Sequence, residues 1–255
     1  MKSVDLNADL GESFGAWTMG LDNELLAYLS SANIACGWHA GDPAVMEASV
    51  RAALAAGVAL GAHPGYPDLA GFGRRAMALS ADEIYGAVLY QTGALRAFAE
   101  AAGGRLSHVK PHGALYNDAA ADPVKAQAIA KAVQAAGGGL YLVGPPDSAL
   151  SKAAAEFGLP YAREFFADRS YGDDGRLVPR GLPGAVIHDT KQAVRRTIEA
   201  LHSGAVASIN GKSIELGFDT ICLHGDNPKA LAFARSLRSA LESAGIALLP
   251  FAQTR

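Results

Sequence analysis

Cysteine is scarce in this chain: Cys36 and Cys222 are the only two among 255 residues, far apart and each in apolar surroundings. No Cys-x-x-Cys occurs, so neither a zinc ribbon nor a disulfide framework is indicated. Charge is scarce as well. Asp, Glu, Lys and Arg supply 18% of residues, against roughly 25% in an average soluble domain. The 22 basic and 25 acidic residues leave a net charge of −3, and no Lys/Arg run interrupts that balance. Nucleic acid and anionic membrane are therefore not expected as partners. No window reaches the ~18 apolar residues of a membrane span, and Met1-Lys2-Ser3-Val4-Asp5 carries no apolar signal core. A cytoplasmic, soluble chain is expected. Three further motifs are missing: Gly-x-Gly-x-x-Gly after the first strand, a phosphate loop ending in Gly-Lys-Ser/Thr, and the Gly-x-Ser-x-Gly elbow of a serine acyl-enzyme.

What is abundant is apolar residue and glycine. Half the chain is hydrophobic and 29 residues are glycine, which describes a compact α/β protein with a sizeable core. Apolar runs at 3–9, 32–37, 58–63, 106–112, 139–144, 161–167 and 218–224 predict seven strands. Helical patterns near 22–30, 43–56, 81–102, 122–136, 146–157 and 189–203 separate them. Ser80 with Glu83 forms a capping-box signal, Asp122-Pro123 puts proline at a first helical position, and Gly57, Gly103, Gly137, Gly158 and Gly204 stand where C-terminal caps belong. Such alternation implies parallel strands with right-handed crossovers. Asn210-Gly211, between the short runs 206–209 and 212–216, predicts an inserted β-hairpin with a two-residue turn. The long Gly/Pro-rich connection 168–188 reads as a lid, a docking loop or a disordered insertion.

Side-chain alternation separates barrel from open sheet. Asp5, Asn7 and Asp9 share one face of the first strand, and Val4, Leu6, Ala8 and Leu10 the other. His108, Lys110 and His112 repeat the pattern, as do Cys222, His224 and Asp226. A polar lumen inside an apolar shell suits a closed barrel, whereas a doubly wound sheet would be apolar on both faces; edge strands with one wet face are the plainer alternative. The expected fold is thus a single (β/α)7-barrel domain over 1–255.

Four histidines end apolar runs: His39, His63, His112 and His224. The carboxyl ends of barrel strands meet at one mouth, so these imidazoles and Asp9 are expected together as the catalytic set, with Lys110 and Asp226. Asn7, Glu12, Trp38, Tyr116, Arg169 and Arg180 are candidates for holding substrate or phosphate. His108 reads as structural and deep in the barrel, His202 as surface, and the two cysteines as small barrel hydrophobes. Imidazoles with a carboxylate suit a divalent metal, and equally suit metal-free acid–base chemistry; Lys110 would hold an anion or polarise a carbonyl. Amide hydrolysis is the favoured reaction class, and spacing leaves the metal question open.

The blocks Asp5-Leu6-Asn7-Ala8-Asp9-Leu10-Gly11-Glu12, Asn33 to Asp42, Gly61 to Asp68, Val109 to Tyr116, Glu164 to Tyr171 and Leu223-His224-Gly225-Asp226 resemble the LamB/YcsF family of 5-oxoprolinase A subunits, from residue 4 to about 250. The resemblance implies a seven-stranded (β/α) barrel akin to polysaccharide deacetylases and glycoside-hydrolase barrels. It also implies ATP-dependent opening of the lactam 5-oxoproline to glutamate, with ATP as co-substrate and subunits B and C as partners. In that wider group an Asp and later histidines hold a metal; Asp9, His39 and His63 are the similar positions, although the deacetylase His-x-x-x-His pair is absent. Lys110 with Arg169 or Arg180 would carry phosphate or substrate carboxylate, Asp9 or a histidine would activate water, and His224 with Asp226 would shuttle a proton. The alternatives are a stand-alone metal-dependent amidase or carbohydrate deacetylase, and a non-enzymatic lactam- or sugar-binding protein.

Overall fold

A computed structural model describes residues 3–223 and 230–253. In chain order the elements are β1 (Ser3–Leu10), α1 (Asp22–Leu26), β2 (Ser31–Ala35), α2 (Pro43–Ala55), β3 (Ala59–His63), α3 (Ala81–Ala101), β4 (Leu106–Val109), α4 (Gly113–Ala121), α5 (Pro123–Ala136) and β5 (Tyr141–Gly144). They continue with α6 (Ala149–Glu156), β6 (Tyr161–Phe166), α7 (Thr190–Ser203), β7 (Ala205–Ala207), β8 (Ser213–Glu215), β9 (Thr220–Leu223), α8 (Ala230–Ser243) and β10 (Ala247–Leu248). Strands β1 to β6 and β9 pair in parallel, and β9 joins both β6 and β1, so the sheet closes into a seven-stranded barrel.

Alternation decides which side of each strand faces the lumen. Val4, Leu6, Ala8 and Leu10 of β1, and Ile221 and Leu223 of β9, join the main apolar core beneath the helices. Each fully buried Leu or Val contributes about 1.5–3 kcal/mol. The opposite faces put Asp5, Asn7, Asp9, His108, Glu164 and Thr220 into the lumen, where most of them bond to one another or to Asn33. Phe251 packs on His108 and Tyr141 with ring centroids 5.2 and 5.3 Å apart, placing an apolar plug beside that polar layer.

The local signals act as expected. Ser80 and Glu83 form both halves of a capping box on α3, and the Asp122 carboxylate accepts from the Val124 and Lys125 amides at the start of α5. The five glycines at helix ends all take φ of 65–78°. Other expectations are corrected. Helix α1 has five residues rather than spanning 22–30, because it ends at Leu26, before Ser30 Oγ bonds the first strand at Asp5. Helices α4 and α8 and strand β10 are additions; α4 begins directly at Gly113, whose position gave no helix-start signal.

The hairpin is present but its turn is wider than two residues. Ala207 pairs with Ser213, leaving 208–212 as the loop. Ser208 Oγ accepts from the Asn210 and Lys212 amides, and Gly211, not Asn210, takes positive φ. Side-chain capping by Ser208 thus replaces the type I′ turn. Connection 168–188 is ordered by its own bonds: Arg169 pairs with Val186 and Tyr171 with Leu177 as isolated bridges. Asp173 accepts from Ser208 and Asn210 of the hairpin, 2.5 and 3.2 Å away, so the two insertions hold each other.

Among the described residues no helix is long and apolar enough to cross a membrane.

Candidate active site

Glu12, His39, His63 and His112 each follow, or end, a different strand from β1 to β4, so strand order alone carries them to the same barrel mouth. Their ligand-capable atoms all lie within 4.8 Å of one another. His63 Nδ1 donates to the Lys110 carbonyl at 2.7 Å, and His112 Nε2 donates to the Phe72 carbonyl at 2.8 Å. A carbonyl only accepts, so both rings have a fixed proton on the outer nitrogen. Their inner nitrogens, His63 Nε2 and His112 Nδ1, are 3.0 Å apart. Glu12 Oε1 lies 3.3 Å from His112 Nδ1 and 3.4 Å from His39 Nε2. His39 stacks on His112, with ring centroids 3.7 Å apart and planes 1° from parallel.

Beside this cluster, Lys110 Nζ lies 2.9 Å from Asp9 Oδ1 and 2.7 Å from Glu164 Oε1. Asp9 Oδ2 reaches His63 Nε2 at 3.2 Å, which joins the two groups. Burial alone would lower the Lys110 amine, but Asp9, Cys222 and Glu164 outweigh it and hold the amine well above its usual range. Burial would likewise raise the Asp9 carboxyl, and the neighbouring His63 and Lys110 override it and keep Asp9 ionised. For His39 and His112 burial dominates, pushing both well below the ordinary imidazole value. Burial also raises Glu12.

A cavity of about 1260 Å³ opens over this floor. Asp9, His63, Lys110, His112 and Glu164 line it from the barrel, Tyr116 and Phe166 from one wall, and Arg74, Arg169 and Arg180 from the loops. The guanidinium of Arg169 is buried and donates to the Ala185 and Val178 carbonyls. Tyr116 has a buried hydroxyl that burial and Glu164 keep protonated.

The structure therefore brings Asp9, Glu12, His39, His63, Lys110 and His112 together, with Tyr116, Arg169 and Arg180 around them. Asn7 sits deeper, bonded to Thr220 and Asn33 at 2.7 Å. Trp38 packs on Tyr90 with centroids 5.9 Å apart and is not part of the cavity lining. His224 and Asp226 lie outside the described residues. His108 is a lumen residue bonded to Asn33 Oδ1 at 2.7 Å, as a structural role requires. Cys222 is more than a hydrophobe: its Sγ accepts from Lys110 Nζ at 3.2 Å.

Sequence reading passed over Glu164 as a site residue, though a lone carboxylate inside the run Tyr161–Phe166 marks the inner face of β6. The Phe72 carbonyl carried no signal, because it depends on a left-handed backbone, φ 55°, at a non-glycine residue.

The same residues bear on the divalent metal. Glu12 Oε1 and both ring nitrogens of His39 are buried without a hydrogen-bond partner, and three imidazoles with a carboxylate are a donor set that divalent transition ions favour. The set fits such an ion. Its gathered atoms are those of Glu12, His39, His63 and His112, while Asp9 is engaged by Lys110.

Fold and site together define a closed seven-stranded α/β barrel with a carboxylate–imidazole–lysine centre at the carboxyl ends of its strands. Residues 4–255 match the LamB/YcsF family, and the chain belongs to it. It is 57% identical over 245 residues to the A subunit of 5-oxoprolinase from Methylococcus capsulatus, covering 96% of this chain and 94% of that one. With the corresponding 5-oxoprolinase A subunit of Pyrococcus abyssi it shares 52% identity over 247 residues, 97% of each chain. The crystal structure of a lactam utilization protein from Thermus thermophilus superposes with a TM-score of 0.93 at 49% identity, over 98% of this chain and 99% of that one.

Proposed function

We propose that this chain is the A subunit of a cytoplasmic ATP-dependent 5-oxoprolinase, which with subunits B and C converts 5-oxo-L-proline, ATP and water to L-glutamate, ADP and phosphate. The observation that carries the reading is the buried Asp9–Lys110–Glu164 group, joined through His63 to the imidazole cluster on the floor of one cavity. The names of the relatives support the substrate and the existence of partner subunits.

A five-membered lactam is a stable amide, so its opening gains from activation. Transfer of the γ-phosphoryl group to the amide oxygen, with ADP leaving, gives an electrophilic imidate. Water then adds to that carbon, the C–N bond breaks with a proton passing to nitrogen, and a second water releases phosphate from the resulting acyl phosphate. Lys110, held charged, places a fixed cation where negative charge gathers on oxygen. Asp9, held ionised beside Lys110, is the carboxylate placed to accept a proton from the attacking water. Arg169 and Arg180 supply guanidinium groups for the substrate carboxylate or the phosphate, and Tyr116 contributes a protonated hydroxyl. His224 and Asp226 keep the proposed role of proton shuttle. A divalent ion, held by Glu12, His63 and His112, would add Lewis-acid polarisation of a carbonyl or of water.

The test is direct. Glutamate is measured from 5-oxoproline and ATP with this chain and its two partner subunits together. Asp9→Asn, Lys110→Met and His63→Ala are each expected to lower turnover by at least about 10²-fold. Undiminished turnover in all three would overturn the site, and ATP-independent turnover by this chain alone would favour a stand-alone amidase.

A further inference from the structure

The His63–His112 contact is incompatible with an ordinary hydrogen bond between two neutral rings. Each ring spends its proton on a backbone carbonyl, so two lone pairs face each other across 3.0 Å. A bound cation between them, or a second proton on the His63 ring, has to relieve this contact, and the two are told apart by metal binding. The carboxylates that reach these nitrogens are acceptors too: Glu12 Oε1 at 3.3 Å from His112 Nδ1, and Asp9 Oδ2 at 3.2 Å from His63 Nε2.

We infer that Glu12, His63 and His112 form a binding site for one divalent transition ion, with His39 stacked on His112 beside it. Ligand bonds of about 2.0–2.2 Å in a tetrahedron place donor atoms about 3.4 Å apart. The separations of 3.0 and 3.3 Å from His112 Nδ1 to its two neighbours already approach that spacing. The His63 and His112 planes stand at 89°, so their lone pairs converge from different directions. His39 differs. Its ring is parallel to His112, so its lone pair runs alongside rather than toward the same point, and its Nε2 faces Glu12 at 3.4 Å.

The surroundings are built to hold this arrangement. Outer-nitrogen bonds to carbonyls fix tautomer and ring orientation, as such partners do at metal sites. Phe72 takes a left-handed backbone to aim its carbonyl at His112, a conformation that a non-glycine residue adopts only when its surroundings enforce it. A Cβ at Gly73 would come within 2.8 Å of the His112 ring and 2.9 Å of His39 Cβ, and one at Gly65 within 2.6 Å of His39 Nδ1. Nitrogen-rich donors select ions of the zinc and cobalt class over magnesium or calcium. With three protein ligands, positions stay open for water or substrate.

The inference stands apart from the lactam reading, and the two fail separately. Full-length protein is stripped with chelator and titrated with Co(II), following visible d–d absorption, metal content and melting temperature. One Co(II) per chain is expected, with a rise in melting temperature and displacement by Zn(II). His63→Ala and His112→Ala are expected to weaken binding by more than about tenfold. X-ray absorption of the zinc-loaded wild type needs no variant and is expected to show imidazole scattering. Absence of saturable uptake, an oxygen-only shell, or unchanged affinity in folded His63→Ala and His112→Ala proteins would each overturn the site. Stoichiometric metal without 5-oxoproline turnover when all three subunits are combined would leave the metal site standing and remove the lactam reading.

Discussion

Lys110 Nζ lies 2.7 Å from Glu164 Oε1 inside the barrel, and neither side chain is more than 2% exposed. Asp9 holds the same amine from the other side at 2.9 Å. One cation is therefore shared between two carboxylates contributed by strands β1 and β6. Removing it leaves the buried Glu164 carboxylate and that of Asp9 without that cation. Lys110→Met is expected to lose on the order of 3–5 kcal/mol of stability, read from denaturant unfolding. Glu164→Gln should lose less, since Lys110 keeps Asp9. A loss under about 1 kcal/mol in Lys110→Met would contradict the buried arrangement.

Asp5 titrates in the opposite sense to a paired surface carboxylate. Burial raises it from 3.8 to about 6, against the hydroxyls of Ser30, Ser31 and Thr220 that favour its ionised form. A folded-state pKa above the unfolded one means that the folded chain binds the proton more tightly. The associated stability is complete below about pH 4 and is lost as pH rises through about 6. A difference of this size corresponds to on the order of 3 kcal/mol. Asp5→Asn should therefore remove a gain in stability that the native chain shows, relative to the variant, on acidification from about pH 7 to about 4.5. Parallel stability–pH curves for the two proteins would refute it.

Gly61 is required by its neighbour across β3 and β4. A Cβ there would overlap the His108 ring, which is fully buried and tied to Asn33. Overpacking of this kind costs about 1–3 kcal/mol or more. Gly61→Ala is expected to lower the melting temperature markedly in the native background, and much less when His108 is also Ala. Additive losses in the double variant would show that the two positions do not share space.

Asp173 links the cavity-lining connection to the hairpin through Ser208 and Asn210. Asp173→Ala should loosen residues 168–188 while leaving global stability almost unchanged, because these contacts are at the surface. Limited trypsin digestion reports this as faster cleavage after Arg176 or Arg180. Identical digestion rates would show that the two insertions are held by other contacts.

Much of the architecture was readable because it follows from short-range rules. The period-2 alternation of Asp5, Asn7 and Asp9 against Leu6, Ala8 and Leu10 fixes which side of β1 is wet, and that pattern alone distinguishes a barrel from a sheet covered on both faces. Ser80, Asp122 and the terminal glycines act within a few residues, so their caps needed no knowledge of the fold. Where long-range bonds intervened, the reading shifted. Ser208 bonds to Asp173, 35 residues away, and the hairpin turn widened around it. Helix α4 begins at Gly113 because Ala114 N bonds to Gly73 O from another loop.

The amino-acid order by itself determined that histidines and carboxylates would end successive strands, and hence gather at one barrel mouth. It did not determine which of them would touch. That was decided by the register of β1 against β2 and by the left-handed turn at Phe72, which set where the rings point. Hydrogen bonds and ion contacts depend on such distances, whereas strand order and facing depend only on spacing along the chain.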